Sequence, residues 1–166
     1  MEAILFSSAK PVSAKKLHKG LTGFTDEDIT AALASLTEKY KNPEHAVEIV
    51  EVSGGYQMRT KLAYREPVRQ FVRERESGLT RPMLETLALV AYRQPVAKRD
   101  IDNLRGVDSA RTIKQLLDRK LIEIAGRNED LGKPIVFRTT PKFLELFGLK
   151  DIKELPTIRE IESLEK

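Results

Sequence analysis

Cysteine is absent from the 166 residues of this chain. That excludes disulfides, thiol nucleophiles and thiolate metal sites together, and it fits a reducing compartment. Histidine is scarce as well: only His18 and His45 are present. Each lies among lysines or loop residues, and neither has a second ligand at metal-binding spacing. A serine–histidine–carboxylate triad would have to recruit one of these two as its base. No serine stands in the strand–turn–helix elbow of a hydrolase nucleophile. No apolar run approaches the ~18 residues that a membrane span requires. Met1 is followed by Glu2, with no basic segment ahead of an apolar one, so no secretory signal is expected. These absences predict a cytoplasmic protein that is not an enzyme, needs no cofactor or metal and does not enter a membrane.

What the chain does contain is charge and repetition. Charged residues make up 33% and hydrophobic residues 40% of it, and the formal net charge is +4. Such a balance belongs to a soluble globular protein with a charged surface. The basic excess is local. Residues 77–148 hold 13 Lys/Arg against 9 Asp/Glu, whereas residues 1–76 hold 12 against 11. A mild excess of this kind suits weak attraction to nucleic acid.

A repeat of about 80 residues runs through the sequence. A shift of 84 carries Pro11 to Pro95, Val12 to Val96, Leu17 to Ile101, Ile29 to Ile113 and Leu33 to Leu117. Met58-Arg59-Thr60 then matches Phe137-Arg138-Thr139 at a shift of 79. The period is too long for a solenoid unit and indicates a duplicated domain. Its halves are placed at 1–76 and 77–150, with Glu76-Ser77-Gly78 as the boundary and 151–166 as a charged tail.

The second half predicts a helix capped at Thr80 with Pro82 in its first turn. It ends at Gln94-Pro95, because a residue before proline avoids the α region. A helix over about 97–104 closes at Gly106. A third, capped by Ser109, runs through Lys120 with Ile113, Leu116 and Leu117 at core spacing. Leu121 to Ile124 alternates as a strand, Gly126–Pro134 reads as a polar loop, and Ile135–Arg138 is a second strand. Thr140-Pro141 opens a last helix carrying Phe143, Leu144 and Phe147.

The first half repeats this order. Thr25 and Asp28 form a capping box, Ala46–Val52 is a strand, Gly54-Gly55 is the hairpin turn, and a charged helix covers about 64–75. Three helices followed by a β-hairpin make the winged form of the helix-turn-helix unit. The predicted fold class is therefore mainly α with small β-hairpins (α+β), as two tandem winged-helix domains.

Gly126 to Lys133 has the look of a phosphate-binding loop. It has one residue too many between its glycines, Pro134 follows where Ser or Thr is needed, and it joins two strands. It is read as the wing. The third helix of such a domain normally reads base edges. In the first half it begins Asp26-Glu27-Asp28, which phosphates would repel. In the second it carries Arg111, Lys114, Gln115, Arg119 and Lys120 beside Asp108 and Asp118, enough for phosphate contact but a weak case for sequence readout. The alternative to a protein-binding role is a winged-helix DNA-binding transcription regulator.

Leu84-Glu85-Thr86-Leu87-Ala88-Leu89-Val90-Ala91-Tyr92-Arg93-Gln94-Pro95-Val96 resembles the signature of the segregation and condensation protein B (ScpB) family. Arg105-Gly106-Val107-Asp108-Ser109, Gly126-Arg127, Gly132-Lys133-Pro134, Thr139-Thr140, Phe147-Gly148-Leu149 and Leu155-Pro156 follow at matching distances. Ala97, Lys133 and Phe137-Arg138 depart from the usual family residues. The resemblance implies a cytoplasmic, nucleoid-associated adaptor of the bacterial Smc condensin. It would form a homodimer through the first domain and bind the kleisin ScpA, and through it Smc, with the second. DNA contact would be indirect or weak and non-specific. Candidate protein-binding residues are Arg105, Arg127, Lys133, Arg138, Phe143 and Phe147. Candidate dimer contacts are Ile4, Leu5 and Phe6.

Overall fold

The structure is a computed structural model that describes residues 1–72, 78–127, 132–157 and 160. The chain divides into two compact units. One comprises Met1–Arg75 together with Gly148–Lys166, and the other Glu76–Phe147.

In the first unit, α1 (Glu2–Ser7), α2 (Ala14–Gly20) and α3 (Asp26–Lys41) precede a hairpin of β1 (Val47–Val52) and β2 (Gly55–Thr60). A 3₁₀ turn, Leu62–Tyr64, leads into α4 (Arg65–Val72). Helix α3 starts where the capping box places it. The Thr25 hydroxyl accepts the Asp28 N–H at 3.1 Å, and the Asp28 carboxylate accepts the Thr25 N–H at 2.9 Å. Two of the backbone donors left over at a helix start are satisfied in this way. Ile29, Leu33 and Tyr40 then face a core shared with Leu5, Val12, Leu17 and Ile49.

The hairpin turn falls one residue earlier than predicted. Val52 pairs with Gly55, so the two-residue turn is Ser53-Gly54 and not Gly54-Gly55. Both turn residues have positive φ, 51° and 68°, as the hairpin turn that matches strand twist demands. Gly55 serves a different purpose. Val12 and Tyr56 exchange backbone hydrogen bonds of 2.9 Å each. A Cβ on Gly55 would sit 2.9 Å from the Val12 carbonyl carbon, so only glycine lets the chain pass.

The second unit repeats the plan. It contains α5 (Arg81–Arg93), β3 (Val96–Ala97), α6 (Lys98–Arg105), α7 (Ala110–Asp118), β4 (Ile122–Arg127), β5 (Ile135–Thr139) and α8 (Pro141–Phe147). The sheet is antiparallel in the order β3-β5-β4. Val96 and Ala97, expected only to follow a helix break, form a short third strand against Phe137 and Val136. The bridge from Val12 to Tyr56 is its counterpart in the first unit. Strand β4 also outlasts its prediction. A bulge between Ile124 and Gly126 lets the pairing continue to Arg127, so the polar loop begins after Arg127. Its residues 128–131 lie outside the described residues, as do Glu76 and Ser77 of the expected boundary.

Both units are winged-helix domains, three helices with a hairpin, in a chain of α+β class. The 84-residue shift is visible in their cores. Leu17 and Ile101 are buried, as are Ile29 and Ile113. Leu117 is the exception: Leu116 fills the core place and Leu117 is half-buried.

The last segment does not follow the predicted division at 150. From Gly148 the chain belongs to the first unit. The N–H groups of Ser53 and Gly54, at the hairpin turn, donate to the carbonyls of Leu149 and Lys150 at 2.9 and 3.2 Å. Lys150 pairs with Glu51 at 2.7 Å. The 3₁₀ turn Ile152–Glu154 follows, capped by the Asp151 side chain. A charged segment without apolar periodicity gave no sign of this docking, because backbone groups make most of it.

Candidate partner-binding site

The elbow between α6 and α7 is held by a polar network. Helix α6 ends at Gly106, whose φ of 70° and N–H bond to the Asp102 carbonyl (2.8 Å) stop the helix. The Asp102 carboxylate accepts from Lys98 at 2.6 Å and from the Ser109 N–H at 2.8 Å. Lys98 also pairs with Asp108. The Lys98 ammonium, and secondarily Ser109, hold the Asp102 carboxyl below its ordinary range, while the two carboxylates raise Lys98. Ser109 is fully buried, and its hydroxyl accepts from Arg105 at 3.1 Å. It therefore occupies the N-cap position of α7 without capping the helix through its side chain, which corrects the role expected for it.

Arg105 was a candidate contact for a partner. Its side chain is only 10% exposed. It spans Ser109 and Glu85, the latter at 3.4 Å, and its Nε is buried without a hydrogen-bond partner. The geometry makes it a brace between α5, α6 and the start of α7. The other basic candidates are exposed on the wing. Arg127 donates to the Lys133 carbonyl at 3.4 Å. Lys133 takes a φ of 42° at the foot of the loop. Arg138 pairs across the strands with Glu123 at 2.8 Å.

The two aromatic candidates separate. Thr140 caps α8 by accepting the Phe143 N–H, and it donates to the Lys120 carbonyl at 2.6 Å. This orients α8 so that Phe143 is buried while Phe147, one turn on, is half exposed. Their ring centroids are 4.8 Å apart. Phe143 is therefore a core residue. Phe147 borders an open groove of about 710 Å³ lined by Leu79, Leu84, Leu121, Leu146 and Phe147, with Gly78, Arg119 and Lys142. Leu121 is its buried floor, whereas Leu84 and Leu146 stand exposed. Lys142 donates to the Arg119 carbonyl at 3.0 Å.

Of these groove residues, only Phe147 was singled out as a contact from sequence. Leu84 stands in the family-like segment, and Leu121 opens the predicted strand. Leu79, Leu146, Arg119 and Lys142 carried no periodic signal that distinguishes a groove wall from an ordinary surface.

In the first unit the three candidate dimer residues also part. Leu5 is 1% exposed and belongs to the core. Ile4 packs partly against that core, and Phe6 projects from it, 79% exposed. The acidic start of α3 is structural in part: hydrogen bonds from Thr25 hold the Asp28 carboxyl below its ordinary range. His18 Nδ1 lies 2.9 Å from Asp26, and His45 stacks obliquely on Tyr40. Among the described residues no group of three potential ligands could hold a metal ion, and no helix is long and apolar enough to cross a membrane.

Fold and site together define a tandem winged-helix protein with an apolar groove on its second unit. A family profile described as "Segregation and condensation complex subunit ScpB" matches residues 1–158. "Segregation and condensation protein B" of Myxococcus xanthus is 42% identical over 99% of this chain and 50% of its own length. The proteins of that name from Symbiobacterium thermophilum and Syntrophotalea carbinolica are 39% and 40% identical, over 74% and 84% of their lengths and 99% and 100% of this chain. The chain thus spans about half of the first relative and most of the other two. Among solved structures, ScpB from Mycobacterium tuberculosis is 33% identical with a TM-score of 0.44, covering 89% of this chain and 92% of that one. The chain belongs to the ScpB family.

Proposed function

We propose that this chain is a non-enzymatic adaptor in chromosome segregation and condensation, which joins the kleisin ScpA, and through it Smc, at the nucleoid. The first unit carries homodimerisation and the second carries kleisin binding. The observation on which this rests most is the start of α3. The helix that would read bases in the first unit opens with Asp26, Glu27 and Asp28, and Asp28 is kept ionised by its cap. Three carboxylates at that end oppose a phosphate backbone. Family membership and the groove on the second unit support the same reading.

Co-elution of the purified chain with its own ScpA on size exclusion tests the adaptor role. A stoichiometric complex is expected, and separate elution at micromolar concentrations refutes it. The regulator reading would instead require tight, sequence-specific duplex binding by this chain alone at physiological salt. The basic bias of the second unit supports no more than a weak, salt-sensitive contact.

A further inference from the structure

We infer that the solvent face of α7 in the second unit is a contact for the phosphate backbone of duplex DNA, weak and indifferent to base sequence; this goes beyond the adaptor reading and does not need it. The duplication carries the argument. At the 84-residue shift, Asp26, Glu27 and Asp28 of α3 correspond to Ala110, Arg111 and Thr112 of α7. The same helix of the same fold opens with three acids in one copy and with none in the other, where an arginine replaces Glu27. Lys114 follows one turn on, where the first copy has Thr30. Arg111, Lys114 and Gln115 are exposed, on the side of α7 opposite the buried Ile113 and Leu116.

Among the described residues, neither Arg111 nor Lys114 forms an ion pair or a side-chain hydrogen bond. The two acids of the elbow before α7 are occupied: Asp108 pairs with Lys98, and Asp102 accepts from Lys98 and the Ser109 N–H. Helix α7 has no acid in its first turn and no side-chain cap, so its dipole reinforces the attraction of Arg111 for phosphate. Asp118 closes the face one turn past Lys114. Its charge confines the contact to the N-terminal part of the helix, the part that approaches DNA in this fold. Two cations without a set of base-reading side chains neutralise phosphates and carry no sequence information. A protein partner fits this face poorly. None of the exposed large apolar side chains among the described residues lies on α7, and the core of a protein–protein interface is apolar.

The test is fluorescence anisotropy of the full chain with a labelled duplex of mixed sequence, over a salt series that starts at low ionic strength. Wild type should bind weakly, with a log–log salt slope of roughly −2, about −0.9 for each of two phosphates. Arg111→Glu/Lys114→Glu should bind at least tenfold more weakly at low salt. Lys15→Glu/Lys16→Glu, at exposed positions on α2 of the first unit, makes the same change in net charge and should stay within twofold of wild type. Thermal melting should confirm that both variants fold. Arg111→Gln/Lys114→Gln, a milder change, should also weaken binding and bring the salt slope towards zero. Equal losses in the two charge-reversed variants assign the attraction to net charge and overturn the inference. So does wild-type affinity in the α7 variants, or no binding by wild type at low ionic strength. Displacement by one duplex sequence far more readily than by others overturns the backbone reading. Calorimetry with purified ScpA should give unchanged affinity for Arg111→Glu/Lys114→Glu. Loss of ScpA binding in that variant alone assigns the face to a protein, which overturns the inference and leaves the adaptor reading standing.

Discussion

Arg105 shows how far a residue's role depends on where its neighbours stand. From sequence it is an arginine beside a glycine turn, a good interface type. In the fold it lies between Glu85 and Ser109 with little exposure. Arg105→Ala should destabilise the second unit by about 1–3 kcal/mol, the range for leaving a buried polar group such as the Ser109 hydroxyl without its partner, measured by urea unfolding. Its ScpA affinity should stay within twofold of wild type once the protein is folded. Gly55 makes the complementary case. Its alanine variant would place a Cβ against the Val12 backbone, and backbone cannot swing aside as a flexible side chain can. We expect a loss of about 1–3 kcal/mol in the same measurement, as for other overpacked sites. The dipeptide Gly54-Gly55 was legible as a turn, but which glycine serves the turn and which the close approach depends on Val12, more than 40 residues away.

At the level of elements, patterns whose chemistry closes within one segment were more legible than those that join distant segments. The capping box of α3 involves residues three apart, so its chemistry is complete within the segment. Thr25→Ala should cost about 1 kcal/mol, the usual value of an N-cap, seen as a lower midpoint in thermal unfolding. Asp28 adds a pH dependence whose sign is set by its depressed pKa. The stabilisation is fully present above the unfolded carboxylate value and is lost as pH falls through the lower folded value. Asp102, held down by Lys98 and Ser109, acts in the same direction. Acid titration of stability should therefore be flatter in Asp28→Asn and Asp102→Asn than in wild type below the ordinary carboxylate range. Equal slopes would count against both assignments. Ser109 is expected to cap α7 as Thr25 caps α3, yet its hydroxyl is taken by Arg105 and its N–H by Asp102. Strand β3 was missed for a related reason: two residues have no periodicity, and their pairing partner lies some 40 residues downstream.

For the whole molecule the duplication is the governing feature, and function follows from what each copy leaves uncovered. Phe6 is 79% exposed. If the first unit dimerises through α1, Phe6→Glu should shift light scattering from dimer to monomer at micromolar concentration, with the melting midpoint little changed. A dimer that persists would move the contact elsewhere on the unit. Composition, the repeat and the apolar spacing of each copy determined by themselves that the chain forms two winged-helix domains, because helix caps, turn residues and core periodicity act over a few residues. Tertiary structure alone decided that Leu5 is internal, that Arg105 spans Glu85 and Ser109, that residues 149–150 return to the first hairpin, and that Leu84, Leu121, Leu146 and Phe147 share one groove. Each of those facts joins residues distant in the chain, and burial becomes defined only when the elements pack.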